Sequence, residues 1–361
     1  MAASGDYPIC TICGIRLYES CDQDILEGQG PSGWYPDMWK TSAVLLSGPR
    51  WPSYAKGPVA TVPDEAVTRQ LGTPSWYPGQ VRITPGGESV FTQWEYVSDN
   101  GTDTYWYFGI HSACEDIANR FMRTSRETRV RSISDLWMIL DQRCAKTSAD
   151  LHFSTPFLPN IPENGPREPM KLGRSRYYLP HDSIPGDDAE YDDLYEWWED
   201  DPLFIPDLTG CLVSNLEQHK LSDSASLKSM DSFEALPQEM KDKTVADLLK
   251  QPISLDCTYF VPQSHWKQAF FQIPFLWDLD KKVIDDKTGG TELEAGMEWN
   301  WEKITRQLMT PVTLVDEKDR WNPVPWNYDQ VGLTVPHGLN NRRRIWQILE
   351  DMYPSDFGMR H

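Results

Sequence analysis

A chain of 361 residues with 34 basic and 54 acidic side chains carries a formal charge of −20. It repels phosphate overall, so nucleic acid is excluded as an expected partner. No aliphatic run approaches the roughly 18 residues of a membrane span, and residues 1–8 lack the basic and apolar regions of a secretory signal. The sequence therefore predicts an intracellular protein without a membrane partner. Its 16 Trp, 15 Tyr and 12 Phe exclude a disordered chain, and its length allows two or three domains.

Residues 1–146 read as a mixed α and β region. The clearest hairpin spans residues 90–110, where two aromatic and β-branched runs flank Asp99-Asn100-Gly101; Asn-Gly is a strong hairpin signal. On the incoming strand Thr92, Trp94 and Tyr96 share a face by the period of two. A helix then opens at His111, with Ala113, Cys114, Ile117 and Phe121 on one face. A second helix, capped by Ser132 or Ser134, carries Leu136, Ile139 and Leu140.

Residues 147–231 are Pro-rich and acidic and read as a linker with docked pieces. Residues 187–201 hold nine carboxylates and no base, a pattern that stays solvated, yet Tyr195, Trp197 and Trp198 lie inside it and predict local docking. Residues 221–232, rich in Ser and Asp, read as a hinge. Residues 232–361 are mainly helical. Leu236-Pro237 precedes a helix with Met240, Val245, Leu248 and Leu249. Ser264 is placed to cap one with Trp266, Phe270 and Phe271. Trp301, Ile304 and Leu308 mark a third, and Asn340 or Asn341 opens a last one with Ile345, Leu349 and Met352. The triplet Arg342–Arg344 points three ways on a helix and predicts separate surface pairs.

Seven Cys is an odd number, which favours reduced thiols and reads a clustered pair as metal ligands before a disulfide. Cys10-Thr-Ile-Cys13-Gly14 lets two thiolates enter one tight turn, with Gly14 left-handed. His111 and Cys114, three apart on a helix, face the same way. Together they form a closed Cys₃His set that suits structural Zn²⁺. The 97 residues between the halves exceed any zinc-finger spacing, so a redox Cys-x-x-Cys is the competing reading, and Cys21 or Cys144 is a substitute ligand.

The same residues resemble a family of fungal F-box-domain proteins, in which an N-terminal Cys-x-x-Cys-Gly is followed far downstream by a His-x-x-Cys. Residues 232–240 (Ser-Phe-Glu-Ala-Leu-Pro-Gln-Glu-Met) are similar to the start of the F-box. Residues 260–270, Glu298-Trp-Asn-Trp301 and Asn341-Arg-Arg-Arg-Ile-Trp346 resemble downstream signatures. The resemblance implies zinc at Cys10, Cys13, His111 and Cys114. It also implies docking of a Skp-type adaptor on Leu236, Pro237, Met240, Val245, Leu248 and Leu249, as a helix in a hydrophobic groove. The segment 249–259 is shorter than the family's middle and contains the helix-breaking Pro252.

The expected fold is therefore α+β: a zinc-stabilised N-terminal domain (1–146), a linker (147–231) and an F-box-like helical domain (232–361), the two domains packed together. The expected function is a non-catalytic adaptor that brings a protein substrate to a Skp–cullin–F-box ubiquitin ligase. One alternative is an interaction scaffold that has lost the adaptor. The other is an enzyme of unfamiliar class, resting on the acidic block and on His152, His181, His219, His265 and His337. No phosphate loop, Gly-x-Ser-x-Gly or His-Glu-x-x-His supports the enzyme.

Overall fold

Ala43-Val-Leu-Leu46 is apolar on both faces, so the strand it forms must sit in the middle of something. In the computed structural model it is the buried core of strand β1 (Ala43–Ser47). The structure describes residues 10–15, 17, 38–48, 62–74, 80–84, 89–91, 95–97, 104–106, 108–124, 130–144, 157–159, 169–171, 178, 197–220, 230–250, 253–289, 293–313 and 325–352. Two compact units are present. One comprises Met1–Leu203, Leu314–Pro325 and Asn341–His361; the other comprises Phe204–Thr313 and Trp326–Asn340. The sequence boundaries at 146 and 231 follow composition, whereas these units follow contacts: residues 204–313 and 326–340 form the second, and the chain from Asn341 returns to the first.

In the first unit β1 is joined by β2 (Thr68–Pro74), β3 (Gln80–Thr84), β4 (Ser89–Phe91) and, beyond the hairpin β5 (Glu95–Val97) and β6 (Thr104–Trp106), by β7 (Phe108–His111). The antiparallel sheet has the order β4-β3-β2-β1-β7, which places the end of β7 beside the start of β1 through the pair Ala43 and His111. The β5–β6 register pairs Val97 with Thr104 and so centres on Asn100-Gly101, as the sequence predicts. Thr92, Trp94 and the turn itself lie outside the described residues.

Helix α1 (Ser112–Thr124) follows β7 directly and buries Ala113, Cys114, Ile117 and Phe121, the predicted face. Helix α2 (Ile133–Cys144) is capped by Ser132, whose Oγ accepts from Asp135 N at 3.2 Å. Its Trp137 ring, wholly buried, packs 6.5 Å from Phe108 and over the end of β1. A Cβ on Gly48 would overlap that ring. Gly48→Ala is therefore expected to cost about 1–3 kcal/mol through overpacking, read as a lower urea midpoint. An unchanged midpoint would show that Trp137 can move aside.

The stretch read as a linker contains ordered structure. Strands β8 (Phe157–Pro159) and β9 (Pro169–Lys171) pair. Trp197 and Trp198 are buried in an edge-to-face pair with ring centres 5.3 Å apart. Trp39 Nε1 donates to the Glu199 carbonyl at 2.8 Å, and Lys40 pairs with its carboxylate at 3.2 Å. The acidic block thus docks at 197–201; residues 187–196, with Tyr195, lie outside the described residues, as does most of the predicted hinge.

The second unit is mainly helical: α3 (Leu208–Ser214), the ribbon β10 (Gln218–Lys220) with β11 (Met297–Trp299), α4 (Gln238–Leu248), α5 (Gln263–Phe271), α6 (Lys281–Gly289) and α7 (Trp301–Met309). Asn300 caps α7 by accepting from Lys303 N at 2.9 Å. Helix α5 begins one residue before the predicted cap Ser264. Pro262 holds the cap position, since a proline there costs no helical hydrogen bond. Trp266, Phe270 and Trp301 pack α5 on α7.

At the heart of this unit Glu302 is wholly buried. It accepts from Thr258 N (2.8 Å), Thr258 Oγ1 (2.9 Å) and Tyr259 N (2.9 Å), and pairs with buried Arg306 at 2.8 Å. Arg306 in turn donates to the Leu248 and Ser254 carbonyls at 3.3 and 3.1 Å, tying the end of α4 to the 253–260 segment.

Helix α8 (His337–Glu350) starts earlier than Asn340 or Asn341. Both asparagines serve inside it instead: Asn340 Oδ1 accepts from Tyr328 N at 3.0 Å, and Asn341 Oδ1 accepts from Arg344. The helix is buried from Gly338 to Leu349, which overturns the expectation of three surface arginines. Arg342, Arg343 and Arg344 do point three ways and all three are buried; Arg342 and Arg344 bond to backbone and Asn341 oxygens, while Arg343 reaches out to the exposed Glu350 carboxylate. Among the described residues no helix is long and apolar enough to cross a membrane.

Candidate metal centre

The predicted Cys-x-x-Cys forms a tight turn because the chain reverses at Gly14. The Gly14 amide donates to Cys10 O at 2.9 Å, the Cys10 amide donates to Ile15 O at 2.9 Å, and Gly14 takes the left-handed φ of 77° that favours glycine. The turn is laid on the end of β7: Thr11 donates to Gly109 O through its amide at 3.0 Å and its hydroxyl at 3.2 Å. This seats both sulfurs against His111 and Cys114.

His111 does not open a helix. It is the last residue of β7, fixed by pairing with β1, and Cys114 lies in the first turn of α1. The aromatic and β-branched residues Phe108 and Ile110 extend the strand through His111. The two side chains converge across a strand-to-helix junction rather than along one helix face.

All four donors are 0% exposed, and their ligating atoms lie within 4.8 Å of one another. His111 Nδ1 is 3.3 Å from Cys13 Sγ and 3.9 Å from Cys114 Sγ, and the His111 amide donates to Cys10 Sγ at 3.4 Å. A tetrahedral ion with bonds of about 2.3 Å to sulfur and about 2.0 Å to nitrogen separates S from N by about 3.5 Å, so the spacing fits such an ion. Among the described residues this is the group of Cys, His and carboxylate side chains that could hold a metal ion. Cys21 and the side chain of Cys144 lie outside those residues.

The charges of the four groups act strongly on one another. Burial opposes ionisation of Cys10, yet bonds to Cys114 and Cys13 and the charge of His111 bring its thiol well below the ordinary value. Burial, with the neighbouring sulfurs, pushes Cys114 up. Burial would lower His111, but the charges of Cys13 and Cys10 raise it to about 10.

Three contributors to the surroundings carry no local signature in the sequence. The Trp39 ring packs 4.7 Å from the His111 ring. Arg344, wholly buried, donates from Nη1 to Cys13 O at 2.7 Å, and Asn341 Oδ1 holds its other edge at 2.9 and 3.3 Å. Burial lowers the guanidinium's pKa, while the charges of Cys13, Cys114 and Cys10 hold it up.

The residues expected to bind a partner lie on and around α4. Pro237 is exposed and Met240 is 49% exposed; Leu236, Leu248 and Leu249 are half-buried; Val245 is buried. Val245 and Leu249 line a groove between α4 and α5 together with Ala246, Ala269, Ile273 and Met309. Val245 thus faces the unit's own interior, while Met240 faces solvent.

Comparison of the chain with protein-family models, curated proteins and solved structures finds no match. The reading of the site rests on its own chemistry.

Proposed function

We propose that this chain is a non-catalytic interaction protein in which Cys10, Cys13, His111 and Cys114 hold a structural Zn²⁺. The observation that carries the reading is the closure of the site. Four buried protein donors whose ligating atoms lie within 4.8 Å of one another would fill a four-coordinate ion and leave no position for water or substrate, and a thiolate-rich set suits zinc over harder cations. A catalytic zinc needs an open position.

The partner that the F-box resemblance implies is a Skp-type adaptor, with a protein substrate held elsewhere on the chain. Two observations support α4 as its docking surface. Met240 is a large apolar side chain left half in solvent, and Pro237 stands beside it at the helix start. The groove-facing Val245 supports the helix from within.

Co-expression with the host's Skp adaptor, followed by size-exclusion chromatography and metal analysis of the same peak, tests both parts. Stoichiometric zinc and co-elution are expected. Met240→Asp is expected to abolish co-elution while moving stability by less than about 0.5 kcal/mol, because the side chain is exposed. A purified chain without zinc sinks the metal reading. A zinc-loaded chain that ignores the adaptor, or binding that survives Met240→Asp, overturns the adaptor surface and leaves an interaction scaffold.

A further inference from the structure

We infer that the last helix closes the metal centre: Arg344, steered by Asn341, is the charge partner of the thiolate cluster, and filling the site and seating α8 on the Cys10–Gly14 turn are one event. The inference rests on reading the cluster as a divalent-cation site.

The charge argument comes first. Three thiolates and a neutral imidazole around a divalent ion leave one net negative charge in a site with no exposure to water. A buried charge is costly unless it is matched nearby. Arg344 brings one permanent positive charge to the same interior, itself 0% exposed. Each burial is tolerable because of the other.

The geometry makes the match specific. Arg344 reaches the turn at Cys13 O, at 2.7 Å, across 331 residues of sequence. Its fork is aimed by Asn341 Oδ1, and Asn341 is anchored in turn by its own amide, which donates to Asp200 O at 2.8 Å. The helix is also bound to the element that carries Cys114, because Trp346 packs edge-to-face on Phe121 of α1 with ring centres 5.1 Å apart. Its neighbours do other work. Arg342 donates to the Pro202 and Leu203 carbonyls at 2.6 and 2.9 Å, while Arg343 pairs with Glu350 at 3.2 Å and bonds Gln347 at 2.9 Å. Arg343 is therefore a control: a buried arginine on the same helix that faces another way.

The test uses the full chain as wild type, Arg344→Gln, Arg344→Lys and Arg343→Gln. Zinc affinity is measured by chelator competition, the ligand set by the absorption of the Co²⁺-substituted protein, and the seating of α8 by hydrogen exchange of residues 341–352 with and without chelator. Arg344→Gln is expected to weaken zinc about 10–100-fold, the range for partners just outside a ligand set. Arg344→Lys should recover part of that loss, and Arg343→Gln should leave zinc affinity unchanged. Chelation of the wild type should speed exchange across residues 341–352. Equal zinc affinity in Arg344→Gln, an equal loss in Arg343→Gln, or exchange indifferent to chelator overturns the inference while the zinc site stands. A wild type that takes up neither zinc nor cobalt overturns the metal reading itself. Should Arg344→Gln fail to fold, Arg344→Lys and the wild-type exchange experiment still decide.

Discussion

Cys13→Ser is expected to strip the chain of metal and to unfold its first unit at temperatures where the wild type is intact. A serine hydroxyl is a poor zinc ligand and, in a wholly buried pocket, leaves two thiolates without their cation. Metal-binding free energy in a structural site is folding free energy, about 10–16 kcal/mol in small zinc peptides. This unit has a sheet core of its own, so part of the fold survives without the ion. A loss of at least about 4 kcal/mol is expected, in the range that marks loss of a metal or a buried network. Metal analysis and thermal unfolding with and without chelator read the effect. Cys257→Ser, at a half-buried thiol outside the cluster, should retain full metal. Wild-type metal content and melting temperature in Cys13→Ser would sink the zinc assignment.

Glu302→Ala should be the most damaging single change in the second unit. Removing the carboxylate orphans the amides of Thr258 and Tyr259 and leaves the Arg306 guanidinium buried without a counter-charge. Breaking a buried pair by deleting one partner costs about 3–5 kcal/mol. Because Arg306 also holds the Leu248 and Ser254 carbonyls, the segment 253–260 should loosen with it. Urea unfolding gives the magnitude, and hydrogen exchange of 253–260 the location. A change below about 1 kcal/mol would mean that water reaches Arg306 in the folded state.

What the sequence made legible was local. The hairpin centred on Asn100-Gly101, the buried face of α1, the Ser132 cap and the left-handed Gly14 all follow from patterns within a few residues. The cluster of Cys10, Cys13, His111 and Cys114 was legible because thiol and imidazole chemistry is rare enough to stand out even across 97 residues. The strand end at His111 was not legible, because a His-x-x-Cys is compatible with either a helix or a strand-to-helix junction, and pairing with Ala43 decides it. Arg344 was hidden for a different reason. Its acceptor is the carbonyl of Cys13, a group every residue has, so nothing in the spacing of side chains points to it. Arginine is also mostly exposed, so a run of three suggested solvent, and the burial of α8 from Gly338 to Leu349 overrides that expectation. Glu302 and Arg306 are an ordinary i,i+4 pair in sequence; only the loop folded over them makes them interior.

The separation of the donors also sets a timetable. Cys13 and His111 are 98 residues apart, and Arg344 lies 331 residues beyond Cys13. At about 5–20 residues per second of synthesis, the first two thiols leave the ribosome roughly 5–20 s before the imidazole and roughly 15–65 s before the arginine. For that interval Cys10 and Cys13 stand as an exposed vicinal dithiol, open to oxidation to a short-loop disulfide that would bar the ion. On the zinc reading proposed above, the nascent chain would depend on reducing conditions and on zinc arriving after the sheet has brought β7 home. Translation speed through the first hundred residues then becomes a determinant of yield.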